Sequence, residues 1–165
     1  MIIRAALPGD ATAIRELLRT AFASDQEAAL VDDLGRARDL LLSIVADDAG
    51  YIIGYLGFSR LWISHDGQRA PGASLAPLAV AADHRRRGIG AALVEAGHEK
   101  LRAAGESVIF VLGDPAYYRR FGYLTQAASA FECAYAGPHF QALALTDFAP
   151  RAGVIGYAAA FDRLP

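Results

Sequence analysis

Apolar and polar positions along this chain repeat with two periods, and the switches between them mark the elements. Ile2 to Ala6 reads as a short strand. After Asp10, an N-cap candidate, the spacing turns helical, with Ile14, Leu17, Leu18 and Phe22 on one face. Ser24 or Asp25 can cap a second helix, which turns Ala29, Leu30 and Leu34 inward and Glu27, Asp32 and Asp33 toward polar surroundings. Two largely apolar runs follow, Leu40 to Ala46 and Tyr51 to Ser64. They are joined by Asp47-Asp48-Ala49-Gly50, a polar turn with a glycine where positive φ is needed, and this predicts an antiparallel hairpin. His65-Asp66-Gly67 makes another turn, and Gln68 to Gly72 leads into a strand from Ala73 to Val80 with Pro77 at an edge or bulge. Helical spacing returns from residue 88 to 104 through Ile89, Leu93, Ala96 and Leu101, before an apolar strand at 107–112. The last forty residues, rich in alanine and aromatics, predict two or three more strands, about 129–135, 139–145 and 153–158. The fold class is therefore α/β, with a mixed central sheet flanked by helices.

Composition narrows this further. With 165 residues, 54% of them hydrophobic, the chain can bury one good core and is too short for two ordinary domains. One domain over 1–165 is expected. A formal net charge of -2 gives no overall electrostatic case for nucleic acid. The lone cysteine, Cys133, allows no internal disulfide and reads as a core residue; the four histidines lack metal-ligand spacing, so no metal is expected. No apolar run nears the roughly 18 residues of a membrane span. Arg4, Pro8 and Asp10 interrupt any secretory pattern, so the expected location is cytoplasmic, with no membrane partner.

The chemistry concentrates at Val80-Ala-Ala-Asp-His-Arg-Arg-Arg-Gly-Ile-Gly90, where a strand runs through a loop into a helix. The unpaired N–H groups of a helix's first turn and the positive end of its dipole attract phosphate, glycines let a ligand approach the backbone, and Arg85, Arg86 and Arg87 add charge. A pyrophosphate-bearing ligand follows. Two familiar phosphate loops fail here. Gly90 is followed by Ala91 and Ala92, not by the Lys and Ser/Thr of a P-loop. A dinucleotide fingerprint needs glycine where Leu93 stands, and an acidic residue where Val108 to Val111 stand.

What remains, Arg85-x-x-Gly88-x-Gly90, resembles the acetyl-CoA signature Q/R-x-x-G-x-G/A of the GNAT superfamily of N-acetyltransferases. A second segment strengthens the likeness. After the strand Val108-Ile-Phe-Val-Leu112 comes Gly113-Asp-Pro-Ala-Tyr-Tyr-Arg-Arg-Phe-Gly-Tyr123, similar to the family's F-Y-x-x-x-G-F ending, with Tyr118 on its tyrosine. This run is especially like the YhbS-like subgroup. Leu78, Ala79 and Val80 match the strand whose exposed backbone pairs with pantetheine in the superfamily. The resemblance extends from residue 2 to about 125, and more loosely to the C-terminus. One departure is clear: many members carry an asparagine at the end of the fifth strand, where this chain has Gly113-Asp114-Pro115.

The resemblance implies the GNAT-like acyl-CoA N-acyltransferase fold and acetyl transfer from acetyl-CoA to a primary amine of a small molecule or peptide. Leu78, Ala79, Val80, Arg85, Arg86, Arg87, Gly88, Ile89, Gly90 and Ala91 are then expected to bind the cosubstrate. Only about one lysine-like amine in 2,500 is neutral at pH 7, so the reaction calls for a base, and the departing thiolate calls for an acid. Tyr118 is the expected general acid. The candidate base is Glu27, Asp32, Asp33, His84 or a water chain, each of the four residues also reading as a solvated charge; backbone N–H groups near Val80 are the expected donors to the thioester carbonyl. Asp114 reads as the cap of a short helix beginning at Pro115. Trp62, Phe22 and Tyr157 either line the acceptor groove or sit in the core. The competing reading is a non-catalytic acyl-CoA-binding module of the same fold. A monomer or a homodimer is expected, since exposed strand edges invite pairing.

Overall fold

The fold is organised around one long strand. In the computed structural model, which describes residues 1–165, β1 (Ile2–Ala5) is followed by α1 (Ala11–Phe22), α2 (Gln26–Ala37), β2 (Leu40–Asp48), β3 (Tyr51–His65) and β4 (Gln68–Val80). Then come α3 (Ile89–Ala103), β5 (Val108–Leu112), the short α4 (Pro115–Tyr118) and α5 (Thr125–Ala128), and finally β6 (Phe131–Glu132), β7 (Phe140–Ala144) and β8 (Gly153–Tyr157). The sheet runs β1-β2-β3-β4-β5-β7, with β8 paired to both β3 and β6. β1 to β4 are antiparallel neighbours, while α3 crosses over so that β5 lies parallel to β4.

β3 is the spine because it is shared end to end. β4 runs along one edge from Gly54 to His65; on the other edge β2 pairs as far as Ser59, and β8 takes over at Leu61. Its centre is buried on both faces, which explains a near-continuous apolar run instead of alternation. Leu56 and Phe58 pack with Ile44, Leu93, Val94 and Leu101 under α3, while Tyr55 packs with Val45, Ile14, Leu17, Leu18 and Ala28 under α1 and α2. A Cβ on Gly97 would stand 2.5 Å from the Phe58 ring, so the helix sits against the sheet at glycine distance. A second core, around Leu61, Val108, Phe110, Phe131 and Phe140, fills the other half of the sheet. Phe110 stacks on Phe140 at 5.5 Å there and meets Phe131 edge-on at 4.8 Å.

Several sequence expectations need correcting. Asp10 stands at the N-cap position of α1 but its side chain makes no capping bond: it also ends a 3-10 turn, Pro8–Asp10, and its carboxylate accepts from Arg4 at 2.7 Å and from the Leu7 N–H at 2.7 Å. Ser24, not Asp25, supplies the oxygen that the Gln26 N–H reaches, at 3.1 Å. On α2 the buried alanine is Ala28, and Ala29 faces solvent. Phe22 ends its helix 40% exposed, outside the α1 core face. The third strand of the sheet meander begins at Gln68, so Gln68 to Gly72 is strand as well. Pro77 does mark a bulge: Leu56 pairs Leu78 and Phe58 pairs Leu75, leaving Gly57 opposite both Ala76 and Pro77. No helix is long and apolar enough to cross a membrane.

Candidate functional site

The site begins where β4 and β5 part. Their parallel pairing covers only Ala73–Leu75 against Ile109–Val111, so the end of β4 has a free edge. The Ala81 N–H donates to Ile53 O at 2.9 Å, and alternation along the strand therefore turns the N–H groups of Leu78 and Val80 toward that free edge. Next to it, Gly88 (φ +81) opens α3 with no side-chain cap, which leaves the N–H groups of the first turn directed outward. Arg86 is also left-handed, at φ +61. The loop thus forms a cup of backbone donors at the positive end of a helix of 15 residues.

These features line a groove of about 660 Å³. Leu78, Ala79, Val80, Arg85, Arg86, Gly88, Ile89, Gly90 and Ala91 all face it, joined by Phe22 from α1 and by His84, Tyr117 and Arg120. Arg85 holds the loop by donating from Nε to Val80 O at 3.2 Å. Arg87 is the exception among the expected residues. Its side chain is exposed and lies near Asp83, whose carboxyl is held low first by a hydrogen bond from His84 and, more weakly, by Arg87. Sequence reasoning missed Tyr117 and Arg120. Their i, i+3 spacing carries Arg120 over the Tyr117 ring at 4.3 Å, and a Cβ at Gly90 would meet the Tyr117 hydroxyl at 2.7 Å.

A second, smaller pocket of about 270 Å³ shares Phe22 and Leu78 with the groove, since both residues line both spaces. Tyr118 lines this pocket. Asp114 caps α4 by accepting from the Ala116 N–H at 2.9 Å, as expected, and fixes the turn that presents the tyrosine. Gly113 lets the ring fold back over the chain, because a Cβ there would lie 2.6 Å from Tyr118 Cε2. The Gly113 backbone is pinned in turn: its N–H donates to His139 O at 2.9 Å, and the buried Gln141 donates to its carbonyl at 3.1 Å. Burial pushes the Tyr118 hydroxyl up to about 12, so it stays protonated across the neutral range.

Of the four candidate bases, only Glu27 reaches the smaller pocket. Asp32 is paired with Arg15 at 3.0 Å, and Asp33 with Arg36 at 2.8 Å and Arg163 at 2.9 Å. His84 faces the larger groove with Nδ1 2.8 Å from Asp83. Glu27 has no ion-pair partner, and its Oε2 is buried without a hydrogen bond. Apart from Ser74, the rest of the wall is apolar and aromatic, including Leu30, Pro77, Tyr135, Tyr157, Phe161 and Leu164. Of the aromatic residues left open between acceptor wall and core, Phe22 and Tyr157 line this pocket. Trp62 lies elsewhere, 37% exposed beneath Arg69 at 3.8 Å.

A strand split beside an uncapped helix N-terminus, with a tyrosine on the turn after the next strand, defines an acyl-CoA transferase fold of the GNAT type, and the chain belongs to the GNAT acetyltransferases: residues 2–125 match the family described as "Acetyltransferase (GNAT) domain". Among its relatives, the uncharacterized N-acetyltransferase YhbS of Escherichia coli (strain K12) is 39% identical over 99% of both chains. The crystal structure of E. coli YhbS in complex with CoA superposes with a TM-score of 0.91 at 37% identity, covering 99% of this chain and 93% of that one. A GNAT family acetyltransferase from Brucella melitensis in complex with acetyl-CoA superposes with a TM-score of 0.81 at 34% identity, covering 98% of this chain and 97% of that one.

Proposed function

We propose that this chain transfers the acetyl group of acetyl-CoA to a primary amine, with Tyr118 as general acid, and that residues 1–165 work as one domain in doing so. The observation that carries this is the sharing of Phe22 and Leu78: both line the phosphate-suited groove and also the pocket that holds Tyr118 and Glu27. Pyrophosphate sits at the first turn of α3 beside Arg85 and Arg86, and pantetheine adds to the free edge of β4 at Leu78 and Val80. The thioester then arrives beside Phe22 and Leu78. The neutral amine nitrogen attacks the carbonyl carbon, and the C–S bond breaks. The sulfur receives a proton from Tyr118, and the proton released from nitrogen as the amide forms restores the phenol. A tyrosine protonated well above neutral pH suits the donating half of that cycle.

The test has two steps. Calorimetry with acetyl-CoA should show binding that Gly88→Asp abolishes, because the substitution places a carboxylate at the anion site and forces a side chain into positive φ. Thiol release should then follow on addition of an amine, with Tyr118→Phe lowering kcat by about 10²-fold and leaving acetyl-CoA affinity unchanged. Binding without release for any amine would identify an acyl-CoA-binding module instead.

A further inference from the structure

Building on the acetyl-transfer reading, we infer that the acceptor is a primary amine joined through a short alkyl chain to a single aromatic ring, with its ammonium received by Glu27. Charge decides between acceptor classes first. A polycationic sugar or a basic peptide needs several carboxylates, whereas this pocket offers one, Asp32 and Asp33 being spent on Arg15, Arg36 and Arg163. Glu27 is suited to a cation because its Oε2 is withdrawn from solvent and receives no hydrogen bond from the protein. A buried carboxylate oxygen without a donor is costly, and an ammonium supplies both the donor and the compensating charge.

The walls specify what the ammonium is attached to. Tyr135 meets Tyr157 edge-on at 5.0 Å and Tyr157 meets Phe161 at 5.1 Å, so one side is a continuous aromatic surface. Another ring can join it in the same edge-to-face manner. Leu30 and Leu112 complete an apolar lining with no second anion. A volume of about 270 Å³, at the lower end for small-molecule sites, matches one ring and a short chain. Glu27 lines the pocket from the α2 face that also carries Leu30 and Leu34.

The experiment measures thiol release by the full chain at saturating acetyl-CoA with 2-phenylethylamine, n-propylamine, an aminoglycoside and a lysine-containing peptide. The expected result is a kcat/KM for 2-phenylethylamine at least tenfold above each of the others. Glu27→Gln, nearly isosteric on a half-buried helix face, should raise its KM at least tenfold with a smaller change in kcat and with acetyl-CoA affinity by calorimetry unchanged. An aminoglycoside or peptide in first place, or an unaltered KM in Glu27→Gln, overturns the arylalkylamine assignment while acetyl transfer stands. Acetyl-CoA binding with no release for any of the four amines overturns the transfer reading itself, and this inference with it.

Discussion

Tyr118 and Gly113 act as a pair. The glycine opens the Gly113-Asp114-Pro115 turn after β5, and the ring of Tyr118 occupies the space that any side chain there would need. Gly113→Ala should therefore swing the tyrosine away from the pocket and lower kcat by about an order of magnitude, since a misplacement of about 1 Å is enough for such losses. Acetyl-CoA affinity, set in the groove, should not move; calorimetry beside steady-state kinetics checks both. The raised phenol also fixes a pH response. Burial favours the neutral form, so the proton-donating state persists as pH rises and is lost only on approaching about 12. The kcat profile should keep rising to pH 10 as the acceptor amine deprotonates, without the descending limb that an unshifted tyrosine near 10 would impose.

At the scale of elements, α3 is held to the segment between α4 and α5 by a polar contact among apolar neighbours. His98 is buried and its Nε2 lies 2.8 Å from the Tyr123 hydroxyl, which is itself fully buried. Desolvation lowers the His98 pKa to about 4, with a smaller contribution from Arg102. The folded state therefore binds fewer protons than the unfolded chain between pH 6.5 and 4, so stability is complete above about 6.5 and falls as pH drops through that window. Urea unfolding at pH 7 and pH 5 should show this loss, and His98→Gln should flatten the difference. Neither partner stood out in the sequence, because a histidine on an apolar helix face has no local signature. The elements themselves were legible: periods of 3.6 and 2 located both long helices near the start, the hairpin and the crossover helix. Their caps were less so. The 3-10 turn at Pro8–Asp10 draws the Asp10 carboxylate to Arg4, and α2 is buried on two sides, against α1 through Ala28 and against the C-terminal turn through Leu30 and Leu34. That second side also carries Glu27 inward, as the spacing 27, 30, 34 allows.

Across the whole molecule, the site is assembled from two kinds of information, and only one is local. The groove was readable because a single stretch, Leu78 to Ala91, builds most of it from strand, loop and helix start. The smaller pocket draws Glu27, Leu30, Leu112, Tyr118, Tyr157 and Phe161 from across the chain, and no segment of the sequence announces that they meet. The C-terminal 3-10 turn Ala159–Arg163 closes it, docked on α2 through Phe161, Leu30 and Leu34. Its Arg163 reaches Asp33 at 2.9 Å, but that arginine side chain is 77% exposed and such a pair contributes little, so packing of Phe161 holds the turn. Phe161→Ala should cost about 3 kcal/mol of stability, seen as a lower denaturation midpoint. Because the turn lines the smaller pocket and not the groove, the same variant should raise the KM of the acceptor amine severalfold and leave the dissociation constant of acetyl-CoA at its native value. Equal weakening of both ligands would mean that the C-terminal turn supports the groove as well, and that Phe22 and Leu78, which line both spaces, couple them.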